Sequence, residues 1–237
     1  MESIDKLLVT ILNRIITAIK GEKYKVSEAL GIRDIFSICY QRCGQLVRGG
    51  FIRMKIRGRG IMFCGRRVKV SHPWKVCMGK GCIIGDDTCI DALSQEGILI
   101  GNNVTIAQNC MIKCTGVIRD IGKGIVLGNN VAVGAYSMIC GQGGVVIGDD
   151  TIIGPNLLIN AENHVFENAE VLIRQQGETR KGIQIGKNCW IGGNVIILDG
   201  VSVGDNCVIG AGSVVTRNIP ENTIAVGVPA KVKGKRE

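Results

Sequence analysis

Two histidines are the side chains of this 237-residue chain best suited to proton transfer near neutral pH, because an unperturbed imidazole titrates in that range. His164 lies in the polar segment INAENHVFENAEVLIRQQGETRKG, residues 159–182, whereas His72 lies in SHPW. An imidazole can take the proton of an attacking hydroxyl and return it to a leaving group. His164 is therefore a candidate general base, and His72 is interpreted as a turn or surface residue.

A catalytic imidazole needs a partner for its second ring nitrogen. Glu167 and Glu170 follow His164 within the polar segment, and Glu162 precedes it. Each of these carboxylates, or a backbone carbonyl, could orient the ring. The residues alone do not choose among them.

Eleven cysteines are present, an odd number without a CxxC pair, and no secretory signal opens the chain. This usage is typical of a reducing cytoplasm. The spacings Cys39/Cys43 and Cys110/Cys114 lack partner histidines, so no zinc cluster is expected. No apolar run reaches the roughly 18 residues that a membrane-spanning helix needs.

The polar segment interrupts a six-residue repeat. Aliphatic residues recur at every sixth position within each run, Gly often follows them, and a small or β-branched residue stands four positions later. The aliphatic positions are Ile100, Ile106, Ile112, Leu127, Val133, Ile139, Ile147, Ile153, Ile159, Ile185, Ile191, Ile197, Val203, Ile209 and Val215. A period of six fits neither a 3.6-residue helix nor a hairpin array, but it fits short strands joined by tight turns. Three hexads then make one coil of a parallel β-helix.

Turn and core residues agree with this interpretation. The tripeptides GDD, GNN, GKN and GDN supply Asn and Asp, which tolerate a left-handed backbone at a turn. Cys110, Cys189 and Cys207 occupy the small-residue positions, so we interpret them as compact core residues rather than as reactive groups.

The coil of 18 residues is interrupted by insertions of different sizes. Nine residues are inserted around TGVIRDIGKG, which contains Arg119, and two near GQGG. The largest insertion adds 20 residues between Ile147 and Ile185, and it contains His164.

Residues 1–60 are expected to form a helical cap. An apolar stripe in DKLLVTILNRIITAIK predicts a first helix. VSEALGIRDIFSICYQRCGQLV predicts a second helix or a helix pair, with Ser27 as its N-cap. Packing over the open end of the coil is favoured for the first helix over a place on a membrane surface. We expect the β-helix over residues 61–220, with a catalytic loop at 160–183, and a tail over 221–237.

The positive charge is concentrated at one end. Residues 1–80 carry 17 Lys and Arg against 5 Asp and Glu, whereas the rest of the chain is net negative. Tracts such as RGGFIRMKIRGRG could meet anionic lipid or a polyanionic substrate, or remain a solvated face. They lack the interleaved aromatics of a single-strand binder, so nucleic acid is not an expected partner. A cytoplasmic location with peripheral membrane contact stays open.

The C-terminal third resembles the final coils of the hexapeptide-repeat acyltransferases. The stretch IQIGKNCWIGGNVIILDGVSVGDNCVIGAGSVVTRNIPENTIAVGVPAKVK is most similar to sugar and polysaccharide O-acetyltransferases of the galactoside, maltose and capsule types. The likeness is strong over residues 147–233, good from about 81 and weak over 1–60. It implies an all-β fold, a left-handed parallel β-helix that assembles as a homotrimer with active sites between neighbouring chains. It also implies acetyl-CoA as acyl donor and no metal.

The resemblance implies roles for individual residues. His164 matches the catalytic base, and the backbone N–H of Gly193 matches the donor to the thioester oxygen. Trp190 is similar to a tryptophan that lines the groove, or else packs on the outer face of the coil. The residues matched to coenzyme A are Ala211 at the pantetheine arm, Thr216 and Arg217 near the nucleotide, Pro229 and Ala230 beside the adenine, and Lys231 and Lys233, with Arg217, at the phosphates.

Two departures from the family pattern stand out. Gly134 and Ala135 stand where small-sugar enzymes carry an asparagine that touches the acceptor region, so a maltose or galactoside acceptor is not expected. Gly234 stands in place of an arginine and concerns the phosphates of coenzyme A instead. The insertion near Arg119 and the basic N-terminal part indicate a larger, anionic glycan or a glycolipid precursor as acceptor. Transfer to serine, an amino sugar or an antibiotic, and a non-catalytic scaffold, remain as alternatives. A metal lyase on this fold would need three histidines, and the chain has two.

Overall fold

Where the six-residue repeat runs, the chain forms strands of two to four residues separated by tight turns. The computed structural model describes residues 2–21, 23, 25–27 and 29–236. After every three strands the chain returns to the same side of the molecule, so equivalent hexads stack in parallel. The result is a three-sided parallel β-helix.

Each side of the β-helix is one sheet. Face 1 contains β1 (Met62–Cys64), β4 (Cys82–Ile84), β7 (Thr105–Ile106), β10 (Ala132–Val133), β13 (Ile152–Ile153), β18 (Trp190–Ile191), β21 (Val208–Ile209), β23 (Thr223–Val226) and β24 (Lys231–Lys235). Face 2 contains β2 (Lys69–Ser71), β5 (Cys89–Asp91), β8 (Met111–Lys113), β11 (Met138–Cys140), β14 (Leu158–Asn160), β19 (Ile196–Leu198) and β22 (Val214–Val215). Face 3 contains β3 (Val76–Met78), β6 (Gly97–Ile100), β9 (Gly124–Leu127), β12 (Val145–Ile147), β17 (Ile183–Ile185) and β20 (Ser202–Val203).

The core lies along the axis of the coil. Register keeps equivalent residues stacked, for example Ile139 on Ile112 and on Ile159. Every aliphatic position of the repeat is buried, and none is more than 4% exposed. Cys110, Cys189 and other small residues of the repeat are buried as well. The predicted inward-facing positions are therefore confirmed.

The left-handed backbone at the turns falls mainly on Asn and Asp, as predicted. Asn103, Asn130 and Asp150 have φ of 57°, 58° and 60° at the corner between faces 3 and 1. Their side chains form a ladder, in which the Asn103 amide donates to Asn130 at 3.2 Å and the Asn130 amide donates to Asp150 at 2.8 Å. Each coil thus supplies an acceptor to its neighbour.

Helices cover the start of the β-helix. They are α1 (Glu2–Lys20) and α2 (Ile32–Arg53); a 3₁₀ turn (Pro73–Lys75) and α3 (Ile173–Gln176) lie further along the chain. α2 packs against β1 through Gly49, where an added Cβ would lie 2.1 Å from the Met62 carbonyl oxygen. Only glycine allows this close approach.

Two arginines of α2 satisfy carbonyl groups at the open end of the first coil. Arg48 Nε donates to the carbonyl oxygens of Cys64 and Gly65, each at 3.0 Å. Arg53 donates to the Met78 carbonyl at 2.8 Å. Because an unprotected sheet edge invites pairing with other chains, these bonds close the end of the stack. The expected parallel β-helix with an N-terminal helical cap is confirmed.

The structure corrects the N-terminal prediction in detail. The second element is one helix that begins at Ile32, so Ser27 is not its N-cap. The Ser27 hydroxyl instead accepts the N–H of Ala29 at 3.3 Å. Gly31 takes the N-cap position, and the Asp34 carboxylate accepts its N–H at 3.2 Å.

The strands extend slightly beyond the range expected for the β-helix. β23 adds in parallel to β21 after residue 220, and β24 folds back antiparallel on β23. The loop expected at 160–183 occupies residues 161–182, between β14 and β17. The division into a cap, a β-helix and a tail stays a prediction.

Candidate active site

Both long insertions leave the β-helix at the same corner. Residues 161–182, which contain His164, connect β14 on face 2 to β17 on face 3. Residues 114–123, which contain Arg119, connect β8 on face 2 to β9 on face 3. β11 lies between β8 and β14, so the two insertions begin about 10 Å apart at the usual strand spacing.

His164 lies on a hairpin that the longer insertion forms with itself. β15 (Asn163–His164) pairs antiparallel with β16 (Glu178–Thr179), and His164 is directly opposite Glu178. His164 Nδ1 is 3.9 Å from a Glu178 carboxylate oxygen, which is ion-pair distance but too long for a hydrogen bond. The His164 side chain is 59% exposed and that of Glu178 only 17%. An accessible imidazole therefore faces a largely buried carboxylate.

The carboxylates predicted to orient the imidazole lie elsewhere in the loop. The Glu167 carboxylate accepts the N–H of Phe166 at 3.1 Å, and Glu170 follows in the next turn. Among the described residues, neither is within ion-pair distance of His164. Both lie beyond the outgoing strand of the hairpin, whereas Glu178 enters on the returning strand. The structure thus places a different carboxylate beside the ring.

Arg180 ties the hairpin to the shorter insertion. Its guanidinium lies 2.8 Å from the Glu162 carboxylate and 2.8 Å from that of Asp120, and its side chain is 15% exposed. Arg119 reaches within 3.6 Å of Glu178, with a side chain that is 70% exposed. The two insertions therefore form one connected surface beside the imidazole.

Sequence reasoning missed Glu178, Arg180 and Asp120. A signal for them was present, because each insertion follows the third aliphatic position of a run, Ile112 in one case and Ile159 in the other. Counting hexads would have placed the two insertions at one corner, where their charged residues could meet.

A second group of polar atoms lies at the corner between faces 1 and 2. The N–H groups of Gly193 and Ala211, one coil apart, donate to no other residue in the described part of the chain. At the corner between faces 3 and 1, the equivalent N–H of Lys187 donates to the Asp205 carboxylate of the next coil at 2.7 Å. Gly193 lacks such a partner because the side chain stacked on it, that of Ala211, has no acceptor. These two N–H groups, which we call the N–H row, are free for a ligand.

The residues predicted to contact coenzyme A border this row. Trp190 lies on the outer surface of face 1, in register with Ile152, and is 58% exposed. It precedes Gly193 by three residues. Lys231 and Lys233 are exposed on β24.

The other predicted contacts gather around β22, the last strand of face 2. The Ala230 N–H donates to a β22 carbonyl at 2.8 Å, which places Pro229 and Ala230 alongside that strand. Ala211 precedes β22, and Thr216 and Arg217 follow it. All of these positions except Ala230 are exposed.

His164 and the N–H row lie on different corners of the chain. β19, which follows Gly193, crosses face 2 toward the corner of His164, and its three residues span about 10 Å. Among the described residues, no hydrogen bond or ion pair joins His164 to Gly193 or Ala211. A single chain does not bring the predicted base and the predicted oxyanion donor together.

The buried cysteines and His72 are the other side chains whose types could do chemistry. Burial raises the pKa of the Cys64 thiol to about 11 and that of Cys114 to about 12, so both stay protonated near neutral pH. His72 Nδ1 is 2.9 Å from the Asp91 carboxylate, and His72 lies in a turn, which agrees with its interpretation as a turn residue.

In residues 2–21, 23, 25–27 and 29–236, no group of three or more His, Cys, Asp or Glu side chains is arranged to hold a metal ion. The helices described there are too short or too polar to cross a bilayer.

Comparison with known proteins shows which proteins have a similar repeat. Residues 182–217 match the family model described as the hexapeptide repeat of succinyl-transferase. The chain is 38% identical over 89 residues to the galactoside O-acetyltransferase of Escherichia coli (strain K12), covering 37% of this chain and 42% of that protein. It is 37% identical over 107 residues to the putative lipopolysaccharide biosynthesis O-acetyl transferase WbbJ of the same strain, covering 42% and 55%. The later coils therefore carry the hexapeptide repeat and are similar to those of sugar O-acetyltransferases.

The similarity concerns the later coils, since the matches span about half the length of these curated relatives or less. A point mutant of AntD, an N-acyltransferase from Bacillus cereus solved with dTDP-4-amino-4,6-dideoxyglucose and coenzyme A, superposes with a TM-score of 0.57. The match covers 80% of this chain and 89% of that one at 19% identity. This likeness concerns the fold alone, and it confirms the left-handed parallel β-helix expected for the family.

Proposed function

We propose that the protein is an acetyl-CoA-dependent O-acetyltransferase that modifies a hydroxyl of a surface or capsular glycan or its precursor. The observation that carries the proposal is His164, an exposed imidazole that faces a carboxylate on the insertion interrupting the repeat. Relatives named for galactoside O-acetylation and lipopolysaccharide biosynthesis support a sugar hydroxyl as acceptor.

His164 is the general base in this proposal. Its neutral imidazole removes the proton of the acceptor hydroxyl while the hydroxyl oxygen bonds to the thioester carbonyl carbon. The Gly193 N–H stabilises the oxyanion that forms on the carbonyl oxygen. The carbon–sulfur bond then breaks, and the imidazolium returns its proton to the departing thiolate. No acyl-enzyme forms, so no cysteine acts as a nucleophile.

Glu178 is the positioning residue that we assign to His164. A carboxylate 3.9 Å from the ring stabilises the imidazolium that appears during transfer. Glu167 and Glu170 are alternatives for this role only if the loop rearranges, because the Glu167 carboxylate accepts the Phe166 N–H and, among the described residues, neither carboxylate is within ion-pair distance of His164.

The donor substrate lies along the N–H row in this proposal. The N–H groups of Gly193 and Ala211 suit the oxygens of a thioester and of the pantetheine amides, and the exposed face of Trp190 borders them. Cationic side chains would hold the phosphates. The residues proposed to contact the nucleotide end are Thr216, Arg217, Pro229, Ala230, Lys231 and Lys233.

A homotrimer is part of the proposal because face 2 separates His164 from Gly193 within one chain. A cyclic trimer can place the His164 corner of one chain beside the N–H row of the next. The acceptor would enter past the exposed Arg119, which suits an anionic glycan or a glycolipid. We place the enzyme in the cytoplasm, with peripheral membrane contact through its basic N-terminal region.

The test compares the wild type with His164→Ala. Acetyl-CoA binding is measured by calorimetry, and coenzyme A release is measured with capsular oligosaccharides, galactosides, serine and amino sugars as acceptors. Both proteins should bind acetyl-CoA equally, and the variant should transfer about 10²- to 10⁴-fold more slowly. His72→Ala is the matched control and should retain full activity.

Three outcomes would contradict the proposal. If the wild type does not bind acetyl-CoA, acetyl-CoA is not the acyl donor. If His164→Ala transfers acetyl groups as fast as the wild type, His164 is not the general base. Transfer only to amines would replace the O-acetyltransferase with an N-acetyltransferase.

A further inference from the structure

The outward side of α2 carries a row of exposed apolar side chains that the β-helix does not use. Each is more than 60% exposed, and their spacings of three, four and seven residues place them on one side of the helix. The members are Phe36, Tyr40, Val47, Phe51 and Met54, the last at the helix C-cap. We call this set the outer stripe.

The outer stripe lies opposite the packed side of α2. Ile35, Gln45 and Gly49 are the buried residues of the helix, and they face β1. At 100° per residue, Gln45 points about 180° away from Phe36 and about 160° away from Val47. The stripe is therefore not core surface, and a contiguous exposed apolar row of this kind marks an interaction site.

Cations are concentrated in α2 and in the segment after it. Between Ile35 and Gly85 the sequence has 11 Lys and Arg and no Asp or Glu, and one of them, Arg67, pairs with Asp87 just beyond this range. Lys55 and Arg59, just past the helix, are exposed and form no ion pair with a described residue. Exposed Arg42, on one flank of α2, donates to the uncharged side chain of Gln45 at 2.7 Å, so its charge is not neutralised.

We propose that the outer stripe seats the protein on an anionic lipid bilayer, with α2 lying in the plane of the interface. The apolar side chains enter the acyl boundary while the flanking cations meet lipid phosphates. The 22 residues of α2 give a contact about 33 Å long. A second copy of the chain fits the outer stripe less well than a bilayer does, because a symmetric contact would bring the same cations together without counter-charges.

This inference deepens the peripheral membrane contact of the proposed function by naming its surface, and it rests on that part of the proposal but not on the chemistry at His164. If the proposed function also holds, the seated enzyme would meet a lipid-linked acceptor at the membrane surface.

The test is flotation of the full chain with vesicles of mixed phosphatidylglycerol and phosphatidylcholine, and with vesicles of phosphatidylcholine alone. The wild type should float with the anionic vesicles only. Phe51→Glu should weaken partitioning at least about 10-fold, because a charge replaces a membrane-facing ring. Gln41→Glu, which adds the same charge at an exposed polar position of α2, should weaken it less than about 3-fold.

Each other outcome overturns the inference. If the wild type does not bind anionic vesicles, the outer stripe is not a membrane-binding surface. If Phe51→Glu and Gln41→Glu lose vesicle binding equally, the loss is due to net charge and not to the apolar stripe. A change in oligomeric mass with Phe51→Glu would instead assign the stripe to contact between copies. Tyr40→Ser, at the most exposed member, repeats the test if Phe51→Glu does not fold. Acetyl transfer to a water-soluble acceptor should be unchanged in all variants, which separates this test from that of the proposed function.

Discussion

The proposed chemistry depends on a residue pair that strand pairing creates. His164 and Glu178 are 14 positions apart in sequence but directly opposite in the β15–β16 hairpin. Opposite residues of an antiparallel pair lie close together on one side of the ribbon. The hairpin therefore holds the carboxylate near the imidazole while leaving the ring open to substrates.

Glu178→Gln should lower the rate of acetyl transfer by about 10-fold, because it removes the charge that stabilises the imidazolium but keeps the shape. The dissociation constant for acetyl-CoA should not change. Steady-state kinetics with a fixed acceptor measure the rate, and calorimetry measures the dissociation constant. Glu170→Gln, in the same loop, is the matched control and should behave as wild type; the reverse ranking of the two variants would refute the assignment of Glu178.

Sequence reasoning selected His164 as a candidate because a break in a regular repeat is visible without a structure. It did not find Glu178, because the partner was sought among the nearest carboxylates, Glu167 and Glu170. The sequence has no period-two apolar pattern that would predict the pairing of β15 with β16, because both strands are two residues long and lie outside the core.

At the scale of elements, the site is a surface formed by two insertions from one corner. Arg180 holds them together through Glu162 and Asp120; Arg180 and Glu162 are largely buried, whereas Asp120 is 59% exposed. The β-helix sets the spacing of the insertions, whereas the cluster sets their orientation.

Arg180→Ala should destabilise the fold by roughly 2 kcal/mol, below the 3–5 kcal/mol of a fully buried pair, because two carboxylates lose their partner. The loss should concentrate in residues 114–123 and 161–182, whose amide hydrogen exchange should accelerate while that of the core strands is unchanged. Hydrogen exchange and thermal unfolding measure the two effects. Arg174→Ala, at an exposed position of α3, should alter neither; unchanged exchange in Arg180→Ala would mean that the cluster does not hold the insertions.

The repeat predicted the β-helix strands well, because each inward aliphatic position is fixed by stacking on its equivalents. Helix ends were harder to place. Ser27 has the side chain of an N-cap, yet α2 begins after Gly31, where Asp34 supplies the acceptor instead. Several polar residues near one helix start compete for this role, and tertiary packing decides between them.

At the scale of the whole molecule, the central claim is that one active site needs two chains. The proposed base, His164, and the N–H row at Gly193 and Ala211 lie on corners that face 2 separates. Sequence reasoning reached the trimer only through resemblance, because no pattern in one chain reports where its neighbour lies. The free N–H row is the structural observation that supports it.

Co-expression of His164→Ala chains with Ala211→Tyr chains tests this claim most directly. The first variant lacks the base, and in the second a large side chain at an exposed position covers the N–H row. Each variant expressed alone should be inactive. The co-expressed population should recover about a quarter of wild-type acetyl transfer, because an intact site needs His164 from one chain and Ala211 from its neighbour and the chains mix at random. Mixed trimers as inactive as either variant alone would show that a single chain supplies both halves, and would contradict the account.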